Sequence, residues 1–384
     1  MNSCSFLNIG LRLCMAFMAL LMTAFSHASE IGVTDKEIII GQTIALQDGN
    51  NSYGVAAAQG AKLYFDMVNA GGGLHGRKIL LRVLDDDNKA ANAEANARKL
   101  VADGAFILFG SIEGGPSNAI MKVANEFKVP FFGPMAGSPT FRRPYQPFVF
   151  PVRAEHRDEF RALMAWGKTT GLDSVGFLYS DTDVGRAHLE NVKLLADELG
   201  LRIVAPIPFR SDVTDAQLDV IVSAIAAKKP DIFFNHGSSD IYQKLIAKAK
   251  AAGLTTSFMG VNSGSTQIVH GLGSQARGMV FTQVVPNPMQ GKHAISQEYQ
   301  DALRKSGNKS EYSYGGLEGF MTAKALVMAL RATGRDPGRS GLIKTLESSR
   351  YDLGGVSVRY APGDHMGSGF VDLSIVSRDG LFVH

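Results

Sequence analysis

The hydrophobic pattern of this chain alternates between short β-rich runs and longer amphipathic stretches. Residues 38–46 are mostly apolar on both faces, as in a buried strand, and residues 55–69 repeat apolar positions every three or four residues, as on one face of a helix. The same alternation continues with strands at 78–84, 105–110 and 129–133 and helices at 90–101 and 117–127. Strands that are apolar on both faces and joined by helices indicate a parallel sheet covered on both sides.

A second series begins at residue 174. It contains strands at 174–180, 202–209, 231–237 and 257–260 and helices at 185–199, 215–227 and 240–252. From about residue 279 the pattern adds a strand, helices at 294–305, 316–332 and 341–348, and two final β-rich runs. The chain is therefore predicted to fold as two doubly wound α/β lobes, which bind ligands beyond the carboxyl ends of their strands.

No low-complexity linker separates the two series, so ordered crossovers must join the lobes. We expect these crossovers near 151–155, 286–288 and 349–353. The N-terminal lobe is then assigned to residues 29–152 plus 287–350, and the C-terminal lobe to residues 153–286 plus 351–384.

The first 28 residues have the layout of a cleavable secretory signal peptide. One basic residue, Arg12, precedes an apolar run at 13–25, and small residues lead to Ala28. The run is too short for a comfortable membrane span, although a membrane anchor or a buried first helix is the alternative interpretation. This layout predicts export, with cleavage after Ala28.

Composition narrows the possible chemistry. Cys4 and Cys14 both lie in the predicted signal peptide, so the mature chain would have neither a disulfide nor a thiol nucleophile. The formal net charge is +3, and the basic residues are scattered without a tract. We therefore expect neither nucleic acid nor an anionic membrane surface as a partner.

Two short motifs suggest cofactors, and neither has the required context. Residues 71–76 match G-x-G-x-x-G, but they follow a helix and open a strand, the reverse of a dinucleotide site. The acidic run at 85–88 has Ala90 where a calcium loop needs glycine. No Ser-His-Asp, Cys-His or H-E-x-x-H pattern is visible, so we expect no metal, no cofactor and no enzymatic activity.

The loops at the carboxyl ends of the strands hold the candidate binding residues. Glycines after the third strand would let a ligand approach the backbone, and hydroxyl or amide side chains in the other loops would donate or accept hydrogen bonds. Each residue also has a plain explanation as part of a turn or a helix cap. The candidates are Tyr53, Gly114, Gly115, Met135, Ala136, Gly137, Ser138, Asp183, Ser238 and Asn262.

Several phrases in a fixed order resemble a known family over residues 31–376. They are Tyr53-Gly54, Asn69-Ala70-Gly71-Gly72, Gly76-Arg77-Lys78 and Asp85-Asp86, followed by FGSIEGGPSNAI, VPFFGPMAGSP, LYSDTDVGRA and AAGLTTSFMG. The set is similar to the type I periplasmic binding proteins of branched-chain amino-acid (Leu/Ile/Val-binding) ABC importers. The resemblance implies a Venus-flytrap fold with a three-segment hinge. It also implies a periplasmic monomer that carries a small-molecule ligand to an inner-membrane permease.

Four positions differ from the residues with which the family binds an amino acid. They are Gly114 in place of a serine, Gly137 in place of a threonine, Ser238 in place of a tyrosine and Asn262 in place of the acid that pairs with the ligand ammonium. A buried ammonium needs an anionic partner or strong acceptors, and an asparagine supplies only a neutral amide. Glu113, Glu155 and Asp183 are the acids that would substitute. An amino acid, an amide and a small carboxylate all remain as ligand classes.

Two other functions are compatible with this fold. A periplasmic ligand sensor would contact a membrane signalling protein instead of a permease. An α/β enzyme would need a phosphate-binding loop at a strand–helix turn, where the sequence has none.

Overall fold

The computed structural model describes residues 30–307 and 310–383. The predicted signal peptide, residues 1–28, lies outside the described residues. The alternation of strands and helices continues through the described chain, as the hydrophobic pattern predicts. In this part of the chain, no helix combines the length and apolarity needed to cross a bilayer.

The first sheet has five parallel strands in the order β2-β1-β3-β4-β5. Ile40 of β1 pairs with Leu81 on one side and with Ile107 on the other, so the first strand is central. The strands are β1 (Glu37–Ile44), β2 (Lys78–Asp85), β3 (Ile107–Ile112), β4 (Phe131–Met135) and β5 (Val149–Phe150). Between them run α1 (Asp48–Ala70), α2 (Ala90–Ala102) and α3 (Gly114–Phe127).

The second sheet has seven strands in the order β15-β14-β10-β9-β8-β6-β7. Its five consecutive strands are parallel, and they are β6 (Ser174–Ser180), β7 (Arg202–Phe209), β8 (Ile232–His236), β9 (Ser257–Gly260) and β10 (Val280–Gln283). The helices of this lobe are α4 (His156–Thr169), α5 (Asp183–Leu199), α6 (Asp215–Lys228), α7 (Ser239–Ala251) and α8 (Ser265–Leu272). Both sheets therefore have the doubly wound form predicted from the sequence.

Three helices then return to the first sheet. They are α9 (Ala294–Ser306), α10 (Tyr314–Thr333) and α11 (Arg339–Ser348). Helix α10 is almost wholly buried and packs directly along α1. Glycines allow this approach, because a Cβ on Gly60 or Gly319 would lie 1.9 Å from a carbonyl oxygen of the opposite helix.

The last strands divide between the two lobes. A small antiparallel sheet contains β11 (Arg350–Asp352), β12 (Ser357–Ala361) and β13 (Asp364–Gly367), whereas β14 (Asp372–Val376) and β15 (Phe382–Val383) extend the second sheet.

The third passage between the lobes lies later in the chain than the sequence suggested. The first two passages run between β5 and α4 and between β10 and α9. The third runs between β13 and β14, after Gly367, and the expected position at 349–353 is incorrect. Tyr351, Val358 and Tyr360 are buried in the core of the first lobe, and the Tyr360 hydroxyl donates to the Pro151 carbonyl at 2.9 Å. Residues 351–367 therefore pack with the N-terminal lobe and not with the C-terminal lobe.

Candidate functional site

A cavity of about 350 Å³ lies between the two lobes. Both lobes form its walls, and the loops that reach it follow the carboxyl ends of the strands, as expected for doubly wound sheets. From the first lobe it is lined by Asn51, Ser52, Asn88, Glu113, Gly114, Pro116, Ala136 and Ser138. From the second lobe it is lined by His156, Val184, His236, Gly237, Ser238, Ser239, Asp240, Val261, Ser263, Gly264 and Gln267. Its volume suits a small ligand.

The lining is hydrophilic and includes two acidic side chains. Amide and hydroxyl side chains predominate, with two carboxylates, Glu113 and Asp240. Among the described lining residues there is no lysine, arginine, phenylalanine, tyrosine or tryptophan. The cavity is therefore built for hydrogen bonding, with little apolar area on which an aromatic ring or an acyl chain would pack.

Three helices begin at this cavity. The first turns of α3, α7 and α8 border it through Gly114, Ser239 and Gly264, which immediately precedes α8. The N-terminus of a helix presents unpaired backbone N–H groups and a partial positive charge. Acceptor atoms of a ligand therefore have backbone donors nearby, which do not depend on side-chain identity.

A buried polar network joins the lobes beside the cavity. The Tyr53 hydroxyl donates to Glu318, and the Asn262 side-chain amide of the other lobe donates to the same hydroxyl at 2.8 Å. The Glu159 carboxylate accepts from the Asn262 backbone N–H at 2.9 Å and forms an ion pair with Arg153. All five side chains are buried, so this network connects the lobes through groups that water does not reach.

Burial and charge act in opposite directions on the two acids of the network. Burial tends to raise the pKa of Glu159, but Arg153, His156 and the hydrogen bonds to it lower that pKa to about 2. Burial raises the pKa of Glu318, and the charge of Arg153 opposes this only in part. Glu159 is therefore the ionised carboxylate that pairs with Arg153.

Three histidines from three different elements meet at the wall of the cavity. The ring centroids of His188 and His236 are 3.6 Å apart, and those of His156 and His236 are 4.7 Å apart. Burial, together with the neighbouring histidines, lowers the pKa of His188 and of His236 well below the usual value. Within the described chain, no group of three or more His, Cys, Asp or Glu residues has an arrangement that would hold a metal ion.

The sequence matches a known family over almost its whole length. The family model described as "Periplasmic binding protein" matches residues 37–376. The chain belongs to this family.

A curated relative named for leucine, isoleucine and valine matches part of the chain. The Leu/Ile/Val-binding protein homolog 3 of Brucella melitensis is 25% identical over 122 residues, which is 31% of this chain and 33% of that protein. The chain therefore matches only about a third of the length of that curated relative.

Solved structures extend the similarity to both lobes. A substrate-binding periplasmic protein from Ralstonia solanacearum has 25% identity and a TM-score of 0.80, over 90% of this chain and 99% of that one. A fatty acid ABC transporter substrate-binding protein from Thermomonospora curvata has 20% identity and a TM-score of 0.81, over 93% of both chains. These named relatives are solute-binding proteins and not enzymes, and the ligand of this periplasmic binding protein must be inferred from its own cavity.

Some of the ten candidate residues border the cavity. Gly114 lines it from the loop after β3, Ala136 and Ser138 from the loop after β4, and Ser238 from the loop after β8 in the second lobe. Ser138 exchanges a hydrogen bond with Thr140 at 2.8 Å, and Ser238 caps α7 by accepting from the Ile241 N–H. These positions are available to a ligand only at the surfaces that their local bonds leave open.

Four other candidates lie behind the cavity wall. Tyr53 and Asn262 are buried in the network that joins the lobes, and Met135 is buried in the core of the first lobe. A side chain at Gly137 would point into the protein, because a Cβ there would lie 2.6 Å from the backbone nitrogen of His156. These residues shape or support the wall without forming its surface.

The remaining two candidates do not border the cavity. Gly115 is on the outer side of the first turn of α3. The Asp183 side chain is 99% exposed and forms an ion pair with Arg186. A carboxylate near a helix N-terminus is favoured by the helix dipole, which accounts for Asp183 without a ligand.

The candidate set omitted several residues that the structure brings to the cavity. His156, His236, Asn51 and Gln267 line it, and Arg153 lies buried beside it. His236 ends a predicted strand, and Asn51 shares the first loop with Tyr53, so position relative to a strand end was the available signal. Nothing in the sequence indicated that the histidines meet.

Proposed function

We propose that this protein is a periplasmic receptor that captures one small polar solute between its lobes and delivers it to an ABC importer. The observation that carries the proposal is the cavity whose walls come from both lobes. A ligand that contacts both walls stabilises the closed arrangement relative to an open one, which is the basis of capture by hinge closure. The first 28 residues would act as a cleavable export signal, and the receptor would act as a monomer.

The contacts across the cleft support closure as the working motion. The Asn262 amide bonds to the Tyr53 hydroxyl at 2.8 Å, and the Gln267 amide bonds to the Ser52 hydroxyl at 2.5 Å. Both bonds run from one lobe to the other, so they form only when the cleft is closed. A micromolar ligand needs a net binding free energy of about −8 kcal/mol, which several hydrogen bonds in a closed cleft are able to supply.

The proposal is tested by identifying what the protein carries. Protein purified from the periplasm is denatured, and the released small molecules are identified by chromatography and mass spectrometry. We expect one polar compound at close to one molecule per chain. Absence of any stoichiometric compound, together with no thermal stabilisation by a broad library of solutes, would contradict the proposal.

A matched pair of variants locates the captured solute. In Gly114→Phe the new side chain starts at the cavity surface, where a Cβ has no neighbour within 4 Å. The adjacent Gly115→Phe places the same ring outside the cavity. We expect the first variant to lose the released compound and the second to keep it, with both retaining the wild-type circular dichroism. Equal loss or equal retention in the two variants would place the solute elsewhere.

A further inference from the structure

We propose that Glu113 selects the ligand, and that the ligand is a compact hydrophilic molecule with a positively charged nitrogen. This inference rests on the proposed function, because it names the ligand class of the same cavity. It also identifies which of the acids considered from the sequence replaces the acid that Asn262 does not provide.

Of the three acids considered from the sequence, Glu113 is the one that lines the cavity and forms no ion pair among the described residues. It lies at the N-terminus of α3, yet its side chain forms no capping bond to that helix. Its carboxylate accepts one hydrogen bond, from the Asn51 amide at 3.3 Å, and no ion pair to it is found among the described side chains. Burial raises the pKa of Glu113, and the charges of His156 and Arg153 and the hydrogen bond from Asn51 oppose this only in part.

The other two acids are already accounted for. Glu155 is buried in an ion pair with Arg143 and does not line the cavity. Asp183 is exposed and is paired with Arg186. Neither carboxylate is therefore placed to receive a charged group of a ligand.

The two basic side chains whose charge acts on Glu113, Arg153 and His156, are bound directly to another carboxylate. Arg153 is bound to Glu159 behind the wall, and the His156 Nδ1 is turned to the same Glu159 carboxylate at 2.6 Å. His236 borders the cavity as a neutral ring, because burial lowers its pKa well below the usual value. A ligand cation in the cavity would therefore give the Glu113 carboxylate the direct ion-pair partner that the protein does not provide.

The second lobe adds to the same preference. Asp240, in the first turn of α7, brings a second carboxylate to the cavity from the opposite side. A cationic nitrogen in the closed cleft would therefore interact favourably with charges on both lobes. An anionic ligand would meet two negative charges, and the N-termini of α3 and α7 already carry these acids.

The rest of the lining restricts the ligand to a hydrophilic molecule. The apolar residues at the surface are short, namely Pro116, Ala136, Val184 and Val261. Asn51, Asn88, Gln267 and several serines provide donors and acceptors for hydroxyl, amide or carboxylate groups. The N-terminus of α8, at Ser263 and Gly264, is the position for an acceptor group of the ligand, since no acid of its own lies in the first turn.

The experiment compares amines with the matched molecules that lack the nitrogen. Ligand-free protein is tested by thermal shift and calorimetry with L-serine and L-glycerate, 4-aminobutyrate and butyrate, and putrescine and 1,4-butanediol, beside a wider library of amines and quaternary ammonium compounds. We expect every stabilising probe to carry a cationic nitrogen. Each should bind at least tenfold more weakly to Glu113→Gln, and Glu113→Asp should recover part of the loss.

The control is Glu126→Gln, which changes an exposed acid at the other end of α3 and should leave binding unchanged. The inference is overturned if a neutral or anionic counterpart binds as well as its amine, if Glu113→Gln binds the amines normally, or if no cationic probe in the library stabilises the wild type. A stoichiometric released solute without a cationic nitrogen would overturn this inference and leave the receptor function standing. Absence of any captured solute would overturn both.

Discussion

At the scale of single residues, the connection between the lobes depends on a few buried polar atoms. The Tyr53 hydroxyl is shared by Glu318 of its own lobe and Asn262 of the other. Removing a buried partner leaves the other groups unsatisfied, and this costs more than a typical hydrogen bond contributes. We therefore regard Tyr53 as a residue that holds the closed cleft and not as part of the cavity surface.

The variant Tyr53→Phe tests this assignment. It keeps the ring but leaves the Asn262 amide and the Glu318 carboxyl without the hydroxyl, so the free energy of unfolding should fall by about 1–3 kcal/mol. Urea denaturation measures the change. Tyr145→Phe is the control, because that hydroxyl bonds to Glu347 in a partly exposed position and its loss should cost much less. Equal effects of the two substitutions would count against the network.

At the scale of elements, α4, α5 and β8 of the second lobe meet through a histidine from each. His156 begins α4, His188 lies within α5, and His236 ends β8. The rings of His188 and His236 are in contact, and Phe160 packs against both. Neither ring nitrogen of His188 has a hydrogen-bond partner among the described residues, so this ring acts as an apolar packing group in its neutral form.

This packing makes the stability of the protein sensitive to acid. Burial lowers the pKa of His188 in the folded state below its unfolded value of about 6.5. The unfolded state therefore binds more protons below about pH 6.5, and the contribution of this group is present above that pH and lost as the pH falls. Burial also lowers the pKa of His236, so this residue acts in the same direction. The nearby Glu159, with a pKa of about 2, begins to reduce the stability of the folded state only below about pH 4.5.

Urea denaturation at pH 7.5 and pH 5.5 measures this dependence. We expect the wild type to lose stability over this interval by about 1 kcal/mol or more, since one proton taken up over one pH unit corresponds to about 1.4 kcal/mol. His188→Phe should reduce the loss, and His270→Gln, which changes an exposed histidine, should not. A His188→Phe profile that matched the wild type would contradict the assigned role.

At the scale of the whole molecule, the sequence predicts the two sheets and their strand-end loops better than it predicts where individual side chains point. Alternating apolar runs indicate both sheets, and the strand ends locate loops that do reach the cavity, at Gly114, Ala136, Ser138 and Ser238. The sequence does not show that Tyr53 turns away to meet Asn262, because the two are 209 residues apart and the contact exists only once the lobes are in place.

The same limit explains the displaced third passage. In the sequence, the β-rich runs around Tyr351 and Val358 are compatible with strands of either lobe. Their packing in the core of the first lobe is what assigns them to it. Likewise, Glu113, Glu155 and Asp183 are equivalent in sequence, and the ion pairs of the last two are what distinguish Glu113.

Small-angle X-ray scattering tests most directly whether a solute is captured between the lobes. The protein is unfolded and refolded without its released solute, and the solute is then titrated back while the radius of gyration is recorded. We predict a decrease that saturates at one solute per chain and is absent in Gly114→Phe. A radius of gyration that stayed constant while calorimetry showed the solute binding would contradict capture by closure of the two lobes.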